Sequence, residues 1–182
     1  MIKKIALVVF LVLLIVLVAC KTPTGDVTDK CSILKGTHKD NCYAEKLTCS
    51  KISDSLVRDG CVAKLAQKKN DLNVCKLIKD TKTLGFCQES IAEATNNSAI
   101  CGQISDGYWS DNCYFNLAIN HNQTQHCFNI SRTEQKQTCF KTIALSTNNH
   151  IWCAFVGEKN KIPCYIKIAP VRKDPRICLF IQ

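Results

Sequence analysis

CKLIKDTKTLGFCQESIAEATNNSAI (residues 75–100) is followed by CGQISDGYWSDNCYFNLAINHNQTQH (residues 101–126), and the cysteines of the two stretches occupy the same places. From position 49 to position 153 the steps between cysteines alternate between 12 and 14 residues, so that the pattern returns every 26 residues. Self-similarity at such a period is typical of repeat proteins. The repeats are units 1 to 6, at residues 31–48, 49–74, 75–100, 101–126, 127–152 and 153–177, followed by a half-repeat at 178–182.

Aliphatic residues recur at helical spacing within the units. One stands three residues after each first cysteine, and another stands four residues after the second cysteine of units 2 to 6, followed by alanine. Spacings of three and four place side chains on one face of an α-helix, whereas a strand requires even spacings. We therefore predict two helices in each unit. The predicted core positions are Leu34, Ile52, Ile78, Ile104, Ile130, Val156 and Ile181, then Leu65, Ile91, Leu117, Ile143 and Ile168, with Ala66, Ala92, Ala118, Ala144 and Ala169.

Polar residues mark where these helices begin. Asp and Asn cap a helix by accepting hydrogen bonds from its free backbone N–H groups. In the unit that begins at Cys75, these signals predict a short helix over about 71–79 and a second helix over about 82–94, while Pro170 is expected to end the second helix of unit 6. The predicted caps of the short helices are Asp71, Asn97, Gln123, Asn149 and Asp174.

Carboxylates recur at two further places in the units. We interpret both sets as caps and first-turn charges of the second helix, because a negative charge is favourable at a helix N-terminus. The first set, five residues after the first cysteine, is Asp54, Asp80, Asp106 and Glu158. The second set, two residues before the second cysteine, is Asp40, Asp59 and Asp111.

Helices of this length are marginal when isolated in water, so the units have to stack in order to bury their apolar faces. The predicted fold class is all-α: a short α-solenoid of disulfide-linked helical hairpins that covers residues 31–182, with six hairpins and a terminal half-repeat. A unit of 26 residues has little apolar surface to bury, and small cores need covalent support. The cysteines supply it.

The chain has 14 cysteines, and their connectivity cannot be derived from counting alone. Pairing within a unit centres each link on the predicted turn and keeps the separation at 11 or 12 residues. A shifted scheme joins one unit to the next, and the 14-residue step from Cys164 to Cys178 favours it at that end. Pairing within units leaves Cys178 unpaired and predicts Cys31–Cys42, Cys49–Cys61, Cys75–Cys87, Cys101–Cys113, Cys127–Cys139 and Cys153–Cys164.

Residues 1–19 have the features of a signal peptide. Lys3 and Lys4 precede an uncharged apolar run that is too short for a comfortable membrane span. The ending Leu-Val-Ala-Cys resembles the lipobox of prokaryotic lipoproteins, which implies cleavage before Cys20 and a lipid on its thiol. Residues 20–30 are then the lipidated cysteine and a polar tether. The alternative is an uncleaved N-terminal anchor, and both place residues 31–182 outside the cytoplasm, on the cytoplasmic membrane or an outer membrane.

Catalytic and metal-binding patterns are missing from the sequence. Zinc sites pair cysteines two to four residues apart, whereas the shortest spacing within the repeats is seven. The four histidines occupy non-equivalent places, and no catalytic triad, phosphate loop or nucleotide fingerprint occurs. We therefore predict no catalytic residue, no metal and no cofactor.

Three Asn-x-Ser/Thr triplets are possible glycosylation sites, and they matter only in an organism that glycosylates exported proteins. They begin at Asn96, Asn122 and Asn129.

Positive charge is the remaining functional clue. The net charge is +9, and removal of Lys3 and Lys4 with the signal peptide leaves +7. A basic surface outside the cell favours acidic envelope proteins, glycans or lipid head groups as partners, while export disfavours nucleic acid. The alternative is a solvated lysine-rich face. Unit 6 supplies the candidate binding surface, which is Lys159, Lys161, Lys167, Arg172, Lys173 and Arg176.

The recurring sequence motifs Cys-x-x-Ile, Asp-x-Cys-Tyr and Leu-Ala over residues 31–182 resemble those of uncharacterised cysteine-rich repeat lipoproteins of archaea and bacteria. More remotely, they are similar to those of secreted cysteine-rich Sel1-like α/α repeat proteins. The resemblance implies exported helical repeats that bind partners, with no activity assigned. Our hypothesis is a lipid-anchored binding or scaffold module for an envelope protein or glycan. The competing hypothesis is an envelope hydrolase or thiol oxidoreductase built on the same repeats.

Overall fold

The computed structural model of the protein describes residues 29–181. The predicted signal peptide, Cys20 and most of the predicted tether lie outside the described residues. In the described part of the chain, all regular elements are helices, and none of them is long and apolar enough to cross a membrane. The fold class is all-α, as the sequence predicts.

Each unit contains one long helix, and successive long helices pack against each other. The long helices of units 1 to 6 are Gly36–Glu45, Ser55–Lys69, Thr81–Thr95, Gly107–His121, Thr133–Ser146 and Glu158–Arg172. A short helix at or just before the first cysteine connects one long helix to the next. The short helices are Cys49–Lys51, Leu72–Cys75, Ser98–Cys101, Gln125–Phe128, His150–Phe155 and Pro175–Ile181, of which the first and the last two are 3-10 helices.

In units 2 to 6 a disulfide joins the short helix to the long helix that follows it, and in unit 1 a disulfide joins the turn at Cys31 to the long helix. The six pairs are those of the within-unit scheme: Cys31–Cys42, Cys49–Cys61, Cys75–Cys87, Cys101–Cys113, Cys127–Cys139 and Cys153–Cys164. Cys178 is exposed and free. Disulfides of this number persist in an oxidising environment, so the repeat domain belongs to an extracytoplasmic compartment.

The core consists of the aliphatic and alanine positions that recur in the repeat. Thirteen of the predicted core residues are buried, among them Ile78, Ile91 and Ala92 of a single unit. Leu34 is an exception, with 38% of its surface exposed. It lies in the turn at residues 30–34, where unit 1 has no short helix to fix the side chain against the core.

Most of the predicted caps are confirmed. The side chains of Asp54, Asp80 and Asp106 accept hydrogen bonds from backbone N–H groups in the first turns of their long helices. Asp71, Asn97, Asn149 and Asp174 do the same for the short helices. Gln123 is different, because its side-chain oxygen lies 2.8 Å from Nε2 of His126.

The long helix of unit 6 extends beyond the predicted end at Pro170. It contains both Pro163 and Pro170 and ends at Arg172. Proline removes the backbone N–H that would bond to the carbonyl four residues earlier. Pro170 lies in the last turn and is exposed, so water can solvate the carbonyl that loses its partner.

A left-handed residue follows or closes the long helices of units 2 to 6. In four units this residue is asparagine, with φ between 48° and 53°, whereas unit 6 has Lys173 with φ 51°. Left-handed backbone is costly for most L-residues, and asparagine tolerates it better. The recurring asparagine is therefore a structural requirement of the turn between units. The four are Asn70, Asn96, Asn122 and Asn148.

We expect Lys173→Asn to stabilise the protein, because it gives unit 6 the residue that the turns of units 2 to 5 use. The free energy of unfolding should rise by about 0.5–1 kcal/mol, measured by urea denaturation of the oxidised protein. Lys167→Asn is the matched control, since it removes the same charge from an exposed position inside the helix. An equal or larger gain in the control would contradict the explanation.

Candidate binding surface

The contacts between neighbouring units, which we call joints, determine which surfaces of the units stay exposed. In three units the carboxylate two residues before the second cysteine is buried and binds the next unit. Asp59 accepts hydrogen bonds from the backbone N–H groups of Lys79 and Asp80, at 2.9 and 2.8 Å. Asp40 binds Ser53 and Asp54 in this way, and Asp111 binds Ser131 and Arg132.

This arrangement corrects our interpretation of Asp40, Asp59 and Asp111. Each is the fifth residue of its long helix, which is past the first turn, so that it cannot cap its own helix. Each instead holds the start of the long helix in the following unit. We name these three residues the joint carboxylates.

Hydrogen bonds favour the ionised form of two joint carboxylates, Asp40 and Asp111. The backbone N–H groups of Ser53 and Asp54 hold the pKa of Asp40 below its usual value. Burial raises the pKa of Asp111, but hydrogen bonds from the backbone of Ser131 and from both backbone and guanidinium of Arg132 outweigh burial and lower it. The guanidinium also lies over the Tyr108 ring, at 4.8 Å from its centre.

The joint between units 3 and 4 is built differently. Gly85 stands where other units have the carboxylate, and the Trp109 ring of the next long helix packs so closely that a Cβ on Gly85 would lie 2.6 Å from it. Two residues beyond the second cysteine, the buried Glu89 accepts a 2.7 Å hydrogen bond from the side-chain amide of Asn116. Burial, reinforced by the nearby charge of Glu93, raises the pKa of Glu89 to about 7.

Glu89 should make stability fall as the pH rises. Its pKa is higher in the folded chain than the ordinary value of 4.5, so the folded state retains a proton that the unfolded state loses between pH 4.5 and about 7. We expect Glu89→Gln, which keeps an acceptor for Asn116, to raise the free energy of unfolding at pH 8 by about 1–2 kcal/mol. The measurement is urea denaturation at pH 5 and pH 8.

The same experiment has a built-in control. At pH 5 the wild type and Glu89→Gln should differ less than at pH 8, because Glu89 is still neutral in the folded protein and only partly ionised in the unfolded chain. Glu93→Gln, at the half-buried neighbouring position, should give a smaller change at pH 8. If the gain from Glu89→Gln were the same at pH 5 and pH 8, titration of Glu89 would not be its cause.

The six candidate cations of unit 6 differ in their contacts. Lys161 lies 3.5 Å from the carboxylate of Glu158, and Arg176 forms a 2.9 Å ion pair with Asp174. The guanidinium of Arg172 donates a hydrogen bond to the carbonyl of Asn148 in the preceding unit. Lys159, Lys167 and Lys173 have no ion pair within the described residues. At 100° per residue, Lys159, Lys161 and Lys167 lie on different sides of the last long helix, and a binding surface formed by all six residues stays a prediction.

Aromatic side chains form a more compact surface at the short helices of units 5 and 6. The rings of Phe128 and Phe155 are 5.3 Å apart and both contact the buried Phe140, at 4.8 and 4.9 Å. Trp152 lies against Phe140 and Phe155, at 6.0 Å from each. Phe128 and Phe155 still expose 48% and 44% of their surface. We name these four residues the aromatic patch.

Two of the clefts in the described part of the chain lie between neighbouring units. A cleft of about 520 Å³ between units 5 and 6 is lined by Glu134, Lys141, Glu158 and Lys159, with charges of both signs. A second, of about 430 Å³, is lined by Leu47, Val62, Leu65, Val74 and Leu77 and is mainly apolar. Each lies at a joint, so both are products of the way in which units stack.

His126 and the aromatic residues after the second cysteines take part in packing. Within residues 29–181, no three His, Cys, Asp or Glu side chains are placed to hold a metal ion. His126 is buried, with its Nδ1 atom unpartnered, and burial lowers its pKa. Its ring stacks on Tyr114 at 6.3 Å, as part of the packing within unit 4. The aromatic residues after the second cysteines, which include the buried Tyr43, Phe140 and Tyr165, likewise serve packing.

Sequence reasoning missed the joint carboxylates and the aromatic patch. The recurrence of aspartate two residues before the second cysteine was the available signal for the first. For the aromatic patch, the signal was the run of aromatic residues next to cysteines in units 5 and 6, at 128, 140, 152 and 155.

No protein family matches the sequence, and neither a curated protein nor a solved structure is similar to it.

Proposed function

We propose that the protein is a lipid-anchored binding or scaffold module, held by a lipid on Cys20 at the outer face of a cytoplasmic or outer membrane. Its partner is an envelope protein or glycan. The observation that carries this proposal is the aromatic patch, where Phe128 and Phe155 stay nearly half exposed on helices that disulfides hold in place. Exposed apolar residues of this kind are typical of interaction surfaces.

Rigidity supports the same function. Binding costs free energy when loops and side chains have to be ordered, and a surface that is already fixed avoids much of that cost. Cys127–Cys139 and Cys153–Cys164 anchor the two short helices that carry Phe128 and Phe155. The aromatic patch is therefore presented in a preformed arrangement.

The anchor is tested by Cys20→Ser. We expect the wild-type protein to fractionate with membranes and to incorporate a labelled fatty acid, and the variant to do neither, because the acyl chains provide the anchoring free energy. Cys178→Ser is the matched control and should leave both properties unchanged. Membrane retention and fatty-acid labelling of Cys20→Ser would exclude lipidation of this residue.

Partner binding is tested by photocrosslinking in the native envelope. A photoreactive amino acid at position 155, in the aromatic patch, should give a discrete adduct that disappears when Phe128 is replaced by Asp. The control position is Lys64, which is exposed on the long helix of unit 2. If positions 155 and 64 give the same adducts, or if neither gives any, the aromatic patch binds no partner and the proposal fails.

A further inference from the structure

One face of the last long helix has the composition of a joint between units. At 100° per residue, Ile162, Ile166 and Ala169 lie in one stripe of the helix Glu158–Arg172. Lys173 follows just after its end, and Lys159, which also borders the cleft toward unit 5, lies at the edge of the stripe near its start. We name these five residues the open face. Ile162 and Ile166 expose 45% and 54% of their surface.

In earlier units, the next long helix covers the corresponding positions. Ile162 stands two residues before the second cysteine, where Asp59, Gly85 and Asp111 are buried. Ile166 stands two residues after it, where Ala63 and Glu89 are buried. The open face is therefore equivalent to the surface on which the earlier units pack against the next long helix. In unit 6 both of these positions, 162 and 166, are isoleucine.

The short helix that would flank a further long helix on the open face is already present. Pro175–Ile181 packs on unit 6, with Ile177 buried and the ring of Phe180 stacked on Tyr165 at 5.5 Å. Cys178 occupies the position of a first cysteine. The structure thus contains two sides of the site that a further long helix would fill.

The opposite end of the stack differs. On the long helix of unit 1, His38 and Glu45 occupy the positions that face a preceding unit in the rest of the stack, and both are exposed and polar. Polar outer faces are what terminal repeats require for solubility. Unit 1 has such a face, whereas unit 6 presents two exposed isoleucines.

The charges on the open face specify its occupant. Lys159 and Lys173 are 14 residues apart, which corresponds to about 21 Å along a helix. The nearby Glu158 lies beside Lys161. A second copy of the same face would bring lysines against lysines, which disfavours a symmetric dimer. An occupant with carboxylates near both ends complements this face.

We infer that the open face binds an amphipathic helix of a partner protein, about four turns long, with an apolar stripe and acidic residues in its first and last turns. This inference rests on the proposed binding function and specifies the chemistry of its partner. The bound helix packs on Ile162 and Ile166 in the way that the long helices pack on one another. Its carboxylates then lie beside Lys159 and Lys173.

The test uses a synthetic 16-residue helical peptide with a Leu and Ala stripe and glutamates in both end turns. Its twin has lysines in place of the glutamates. The protein is the complete mature chain with Cys20→Ser, so that no detergent is needed, and binding is measured by fluorescence anisotropy of the labelled peptide. We expect the acidic peptide to bind at least about tenfold more tightly than the basic twin at low salt.

Variants of the protein locate the binding site. Ile166→Asp should weaken binding of the acidic peptide by about tenfold or more, because it places a charge in the middle of the apolar stripe. Val171→Asp is the matched control, since Val171 is also exposed on the same helix but lies outside the open face. It should leave affinity unchanged. Lys173→Asn, which suits the left-handed turn, should weaken binding without loss of stability.

Three results would overturn the inference: equal affinity for the two peptides, equal effects of Ile166→Asp and Val171→Asp, or no binding of the acidic peptide. Sedimentation that shows a dimer broken by Ile166→Asp would assign the open face to self-association instead. Preferential binding to vesicles of phosphatidylglycerol and phosphatidylcholine, abolished by the same variant, would assign it to membranes. Photocrosslinking at position 155 remains independent, so the scaffold function can hold where this inference fails.

Discussion

Reduction of the six disulfides should unfold the repeat domain. Each one closes a loop of 11 or 12 residues, and a link of this size stabilises a protein by about 3 kcal/mol in the chain-entropy model. A domain of this size has a total stability of about 5–15 kcal/mol. Loss of two or three such links is therefore comparable to the whole stability, and the short helices cannot persist without the stack.

The measurement is circular dichroism at 25 °C before and after complete reduction and alkylation in non-denaturing buffer. We expect the helical signal to fall to that of a largely unfolded chain and to return on reoxidation. Alkylation of Cys178 alone is the control and should leave the signal intact, since this cysteine is exposed and free. A reduced chain that keeps its full helical signal would show that packing alone stabilises the fold.

Asp111→Ala should produce the largest destabilisation of any single change at a joint. The carboxylate accepts hydrogen bonds from the N–H groups of Ser131 and Arg132 at 2.7 and 3.0 Å and from Nε of Arg132 at 2.9 Å. Its removal leaves these donors without a partner, and we expect the free energy of unfolding to fall by about 3 kcal/mol. Urea denaturation at pH 7 measures the loss.

Asp106→Ala provides the comparison, because Asp106 caps its own helix and does not contact another unit through its side chain. It should cost about 1 kcal/mol. The pH provides a second check. The pKa of Asp111 lies below its ordinary value of 3.8, so its stabilisation is complete above that pH and is lost as the pH falls further. Equal losses for the two variants at pH 7 would contradict the role of Asp111 as a joint.

The sequence predicts the repeated parts of the fold well, for physical reasons. The 26-residue period, the helical spacing of Ile78 and Ile91 and the caps at Asp71 and Asp80 are local signals, and each recurs in several units. Pairing within a unit is local as well, since Cys75 and Cys87 are separated by one turn. Recurrence distinguishes such features from chance in a way that a single motif cannot.

The joints and the binding surfaces depend on contacts between units, which spacing does not reveal. Asp59 occurs near the start of a helix, where a first-turn charge is the natural interpretation. Only its burial and its hydrogen bonds in the structure show that it binds the next unit. Lys161 and Arg176 counted as free cations in the sequence, but each lies beside a carboxylate. The open face could not be predicted either, because its positions carry different residue types in different units.

The most direct test of the account is disulfide mapping of the mature protein by mass spectrometry after digestion under acidic, non-reducing conditions. The account predicts linked peptides for Cys75–Cys87, Cys101–Cys113 and the other four pairs within units, with Cys178 recovered as a free thiol. Peptides that link Cys87 to Cys101 or Cys164 to Cys178 would show that the sulfurs join one unit to the next, and would contradict the hairpin as the unit of this fold.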